Sequence, residues 1–188
     1  MARCALPVVL LLAVLAGCAV PTTAPVGAAA TTDAGFALTG RLGVRFGEES
    51  LSGRIAWTHA PGRDHVSLAS PLGNTLAVIV RDSGGVALTD ANGQRSVAPD
   101  AETLTERALG WRLPLAGLSE WARGRAAPGP AEGSRDAAGR WLTLIQAGWR
   151  IDYSWEEAQA VLPRRVFLER LAATPPLEIR MVVDRWGE

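Results

Sequence analysis

Residues 36–60 read FALTGRLGVRFGEESLSGRIAWTHA, and the period of their apolar positions decides the fold. Phe36, Leu38, Leu42, Val44 and Phe46 fall on one face of an extended chain, with Thr39, Arg41 and Arg45 on the other. That two-residue repeat is the signature of a half-buried strand, and it leaves the arginines in solvent. After the Gly47-Glu48-Glu49 turn, Leu51, Ile55 and Trp57 alternate with Ser52, Arg54 and Thr58, so a second strand presents its apolar face the same way and the pair predicts a hairpin. Gly53 falls on the inward face, where a glycine marks a bulge, a bend or space for a ligand.

Working outward, His65 to Ala69 predicts a third strand and Leu76 to Val80 a fourth that is apolar on both faces. Between them runs Ser70-Pro71-Leu72-Gly73-Asn74. Pro71 cannot donate to a ladder and Gly73 suits a turn, which puts Leu72 at a loop tip, either exposed or folded back over the sheet edge. Val86 and Leu88 mark a fifth strand, Asp90-Ala91-Asn92-Gly93 a hairpin turn, and Gln94 to Val97 a sixth. The pattern changes at Pro99-Asp100-Ala101-Glu102, a helix start, with Leu104, Ala108 and Leu109 following at helical spacing up to Gly110. A second helix is expected from Pro114 to Arg123, with Leu115, Leu118 and Trp121 as its apolar stripe. Gly124 to Gly139 reads as an exposed loop. Strands resume at Trp141 to Gln146, Trp149 to Tyr153, Arg164 to Glu169 and Leu177 to Asp184. Strands, then helices, then strands predict an α+β domain with an antiparallel sheet, spanning residues 36–188.

Ahead of that domain stands a different kind of sequence. Arg3 and the apolar run Ala5 to Ala16, too short to span a bilayer, precede Leu15-Ala16-Gly17-Cys18. This resembles a bacterial lipobox, which implies that residues 1–17 are a signal peptide and that Cys18 is acylated and becomes the membrane anchor. Residue 19 is alanine, not the aspartate that in such proteins marks inner-membrane retention, so the expected address is the periplasmic face of the outer membrane. Residues 18–35 are rich in Ala, Pro, Thr, Gly and Val and bury too little to offset their chain entropy, which predicts a flexible tether. The two cysteines are Cys4, within the signal, and Cys18, so no disulfide is expected.

Charge and chemistry narrow the function classes. Lys+Arg and Asp+Glu balance at 19 each, every basic residue is arginine, and no basic patch argues for nucleic acid. Of the two histidines, His65 lies among Asp64 and Ser67, but residues adjacent along one strand point to opposite faces and cannot converge as a triad. No Cys/His/carboxylate spacing suggests a metal, Ser83-Gly84-Gly85 lacks the lysine and helix start of a phosphate loop, and no cofactor is implied. Catalysis is therefore not expected. Seven tryptophans against one tyrosine must be buried or line something.

The ordered fragments Gly40-Arg41-Leu42, Ile55-Ala56-Trp57, Ser70-Pro71-Leu72-Gly73, Leu109-Gly110 with Leu113-Pro114-Leu115, the Leu118 to Gly124 run with Trp121, Gln146-Ala147-Gly148-Trp149 with Tyr153, Leu162-Pro163 and Val183-Asp184-Arg185-Trp186 resemble the LolB family of outer-membrane lipoproteins. The resemblance implies a curved, open antiparallel half-barrel whose concave apolar face is covered by helices. It further implies a monomer that takes lipoproteins from a periplasmic carrier of the LolA type, holds their acyl chains in a cavity and inserts them into outer-membrane lipid. Leu42, Val44, Ile55, Trp57, Leu76, Val78, Trp121 and Trp149 are the expected acyl-chain contacts, and Leu72 matches the protruding leucine of the membrane-insertion loop. Against this stands a scaffold lipoprotein whose apolar residues simply fill a core.

Overall fold

The computed structural model describes residues 35–187 apart from 110–111 and 113–114. The signal segment 1–17, Cys18 and the tether as far as residue 34 lie outside the described residues. Eleven strands and two helices follow in order: β1 (Phe36–Phe46), β2 (Glu49–Ala60), β3 (Arg63–Ala69), β4 (Thr75–Asp82), β5 (Gly85–Asp90), β6 (Arg95–Ala98), α1 (Ala101–Leu109), α2 (Leu115–Ala122), β7 (Glu132–Arg135), β8 (Trp141–Gln146), β9 (Trp149–Ser154), β10 (Arg165–Arg170) and β11 (Leu177–Gly187). All strands join one antiparallel sheet, ordered β6-β5-β4-β3-β2-β1-β11-β10-β9-β8-β7, in which β6 and β7 do not pair. The sheet is open.

Two meanders, β1–β6 and β7–β11, thus meet along a single seam, where Phe46 faces Leu177 and Val44 faces Ile179 across β1 and β11. Outward on that seam Arg45 pairs with Glu178, and Arg41 with Asp184 at 3.2 Å. The Arg45 guanidinium, helped by Arg180, holds the Glu178 carboxyl below its usual range. Both pairs are screened by solvent and add little to stability. Gly53 is explained by packing: opposite Leu42, an added Cβ would stand 2.3 Å from the Ala69 carbonyl oxygen, so β2 and β3 could not keep their spacing.

Helix α1 starts where expected. Asp100 accepts the Thr103 N–H at 2.6 Å as an N-cap, and those hydrogen bonds lower its pKa. One expectation needs correcting. The region Gly124 to Gly139 is not simply an exposed loop, because Glu132–Arg135 forms β7 and adds an edge strand beside β8. Its residues are all exposed and carry no apolar alternation, so the strand is made by backbone pairing to β8, with the Arg135 guanidinium stacked over the Trp141 ring at 3.5 Å. Upstream of it, buried Gln146 clamps the segment, accepting the Ala127 N–H at 2.9 Å and donating to the Ala127 carbonyl at 2.7 Å.

Candidate functional site

The inward face of the β1–β2 hairpin is dry at one end and open at the other. At the dry end Phe36 faces His59 and Leu38 faces Trp57, which is 2% exposed. Behind them sits Asp64, fully buried. Its Oδ1 accepts Trp57 Nε1–H at 2.9 Å and lies 2.7 Å from His59 Nδ1, while Oδ2 accepts Arg81 Nε–H at 2.5 Å. A carboxylate buried this deeply is tolerated only with such a full set of partners. Arg123, from the turn after α2, stacks its guanidinium over the Phe36 ring at 5.1 Å.

Toward the other end of the same face, burial falls away. Leu42, Val44 and Phe46 are half-buried and Leu51 is 45% exposed. There a cavity of about 340 Å³ opens, within the roughly 300–1,000 Å³ typical of small-molecule sites. Its walls come from β1 and β2, from Val66 and Leu68 on β3, Ile79 on β4, Val166 and Leu168 on β10, and Ile179 and Met181 on β11. Thr105 of α1 and Leu115, Leu118 and Ala122 of α2 complete the lining. The wall is aliphatic almost throughout, with Glu49 and Ser50 among the few polar residues. It offers mainly dispersion contacts.

Of the eight residues expected to contact acyl chains, Leu42, Val44, Ile55 and Trp57 line this cavity. Leu76 lines a small neighbouring pocket with Leu42, Leu51, Gly53 and Leu68. Val78 falls on the opposite face of β4 from Ile79, which stands in the lining in its place. The reason is a register shift between Leu68 and Ala69, which changes the phase of β3 against β4 and defeats a simple count of two. Trp121 and Trp149 pack against each other in the core, ring centroids 6.3 Å apart, and Trp121 Nε1–H donates to Gln146 Oε1 at 2.8 Å. The lining residues not singled out from sequence, on β3, β10 and β11, all sit at inward positions of apolar strands. Their signal was alternation, with nothing to say which inward positions stay uncovered.

Leu72 is 91% exposed. The loop that carries it is closed by Gly73 N–H to the Ser70 carbonyl at 2.9 Å and Ser70 N–H to the Asn74 carbonyl at 2.7 Å, so the leucine stands on a structured turn. Among the described residues no cluster of three or more His, Cys, Asp or Glu side chains is arranged to hold a metal. The Tyr153 hydroxyl is buried with no hydrogen-bond partner among the described residues, and burial pushes its pKa above the ordinary value.

An open antiparallel sheet whose inward face, with two short helices, walls an aliphatic cavity defines the class: an α+β protein built on a single unclosed sheet. Sequence comparison makes this specific. A family model described as "Outer membrane lipoprotein LolB" matches residues 34–186, and the chain belongs to that family. It is 44% identical over 182 residues to the outer-membrane lipoprotein LolB of Thiobacillus denitrificans, covering 92% of this chain and 91% of that one. It is 42% identical over 152 residues to the protein of the same name from Cupriavidus necator, covering 78% and 77%.

Proposed function

We propose that this chain is an outer-membrane acceptor that takes lipoproteins from a periplasmic carrier of the LolA type and inserts them into the membrane. The carrying observation is the aliphatic cavity at the open end of the sheet, in a chain of the LolB family. In this reading the sheet is a half-barrel, its concave apolar face is covered by α1 and α2, and the client's acyl chains lie between them. A scaffold with a filled core would have no such space. The protein works as a monomer on the periplasmic face, held by lipid on Cys18 after removal of residues 1–17, with residues 18–35 as tether.

No bond is made or broken in the cycle, so transfer must run downhill through differences in apolar burial. A tenfold preference at each step needs about 1.4 kcal/mol, or roughly 60 Å² of extra buried apolar area. Leu72 supplies the exit. A side chain already in water loses nothing on entering a bilayer, and burying a leucine there contributes roughly 1.5–3 kcal/mol.

The test is reconstituted transfer. The Cys18→Ala form should be soluble and still accept lipoprotein from a loaded carrier; failure to accept it, or equally ready return to an empty carrier, would overturn the proposal. Leu72→Glu should melt like the parent and accept clients but not release them into liposomes. Normal insertion by that variant would remove Leu72 from the mechanism.

A further inference from the structure

A second cavity, of about 380 Å³, lies beside the first, and among the described residues Phe46 is the wall the two have in common. Phe46 faces Leu177 across the β1–β11 seam, and Leu177 lines the second cavity, so the two cavities adjoin at the end of that seam. The chemistry on the far side is different. Glu102, Arg112 and Arg170 stand there against Trp149 and Leu177.

Arg170 is held in place. Its Nη1–H donates to the Ala147 carbonyl at 2.5 Å, and its guanidinium carbon lies 5.6 Å from the Trp149 ring centroid. Gly148 leaves the space it occupies, since a Cβ there would fall 2.5 Å from Nη1. Ala147 and Ala172, on the turns flanking this arginine, both adopt positive φ, 51° and 55°. Non-glycine residues take that conformation at a cost, and such strain concentrates where a site needs a particular shape. Arg112 is looser: it meets Glu106 at 3.6 Å, with both side chains more than half exposed, so that pair is readily given up.

We infer that this second cavity receives the polar head of a client lipoprotein, the amide carbonyls of its acylated N-terminal cysteine and of the first peptide units. The inference rests on the acyl-binding reading of the first cavity. Acyl chains cannot enter an aliphatic space without drawing those carbonyls to its rim, and each buried without a partner costs about 1–3 kcal/mol. A guanidinium carries only donors, which suits a cluster of carbonyl acceptors, and the Glu102 carboxylate suits the peptide N–H groups. Since chains and head are covalently continuous, their sites must be contiguous, as the shared Phe46 wall makes them.

Two probes with the same pair of acyl chains separate the sites: a fluorescent diacylglycerol ester, and a synthetic diacylglyceryl-cysteine hexapeptide with the same fluorophore, each titrated into the full chain carrying Cys18→Ala. The lipopeptide should bind at least about tenfold tighter than the ester. Arg112→Gln and Arg170→Gln should each lower lipopeptide affinity by about threefold or more, the loss of one hydrogen bond, with ester affinity unchanged. Equal affinity of the parent for both probes, or parallel loss of both probes in the variants, overturns the inference while leaving the acyl cavity standing. No ester binding by the parent overturns the acyl cavity itself. Should Arg170→Gln misfold, exposed Arg112 carries the test.

Discussion

At one end of the β1–β2 ladder Leu38 faces Trp57, with Asp64 behind them holding Trp57, His59 and Arg81; at the other, Val44 faces Leu51, and behind them is the cavity. Both ends obey the same alternation and lie on the same two strands. The difference is in what covers them. Where a polar hub ties neighbouring strands together, aromatic side chains close over the face. Where the helices and the β10–β11 side leave a gap, aliphatic side chains are left with unsatisfied surface. A core gains roughly 25 cal/mol for each Å² of apolar area removed from water, so the open end forgoes stability that the dry end has to supply.

That contrast breaks most severely at the hub. Asp64→Ala leaves Arg81 and His59 facing a buried gap and should lower unfolding free energy by about 3–5 kcal/mol in urea titration; a loss below about 1 kcal/mol would show that the hub is not what holds the dry end. Next come two leucines four residues apart on the same face of β1. Leu38→Ala should cost about 2–5 kcal/mol with acyl-probe binding retained in the folded fraction, while Leu42→Ala should cost under about 1.5 kcal/mol and weaken the probe. Equal costs would erase the distinction between the ends. Val44→Trp fills the cavity without touching the hub. Its melting point should move little, because the new ring enters existing space, and probe binding should fall about tenfold or more. The smallest effect belongs to Tyr153→Phe. The lost hydroxyl has no partner among the described residues, so stability at neutral pH should stay the same or rise by up to about 1 kcal/mol. Burial raises the pKa of this phenol, so above about pH 10 the unfolded chain ionises while the folded one stays protonated, and stability falls as pH climbs. The phenylalanine variant should lack that alkaline slope.

The strands and helices were legible because they are local: one-sided alternation in β1 and β2, the Asp100 cap, the Asn92-Gly93 turn. The exposed position of Leu72 was legible for the same reason, since turn chemistry is written in five consecutive residues. What was hidden depends on distant partners. In sequence Asp64 stands beside His65, just ahead of the expected third strand, and only the pairing of β2 with β3 brings it to His59 instead. A count of two from Leu76 puts Val78 inward, but the register shift opposite Thr75 to Ala77 breaks that count before the regular pairs of Val78 and Ile79, and no window of β4 reveals it. Strand β7, Glu-Gly-Ser-Arg, carries no apolar pattern, and its existence is owed to the free edge of β8. The cavity is the extreme case, being an absence of neighbours where alternation predicts burial.

The seam between β1 and β11 has a consequence in time. Each meander is built from strands that are neighbours in sequence, and can pair as it is made. The outer edge of β1, however, has its native partner only in residues 177–187, at the far end of the described chain. Until those residues are synthesised the first strand of the first meander keeps one row of backbone groups unpaired, and the cavity lacks Ile179 and Met181 from its wall. The first strand written is therefore the last to be closed.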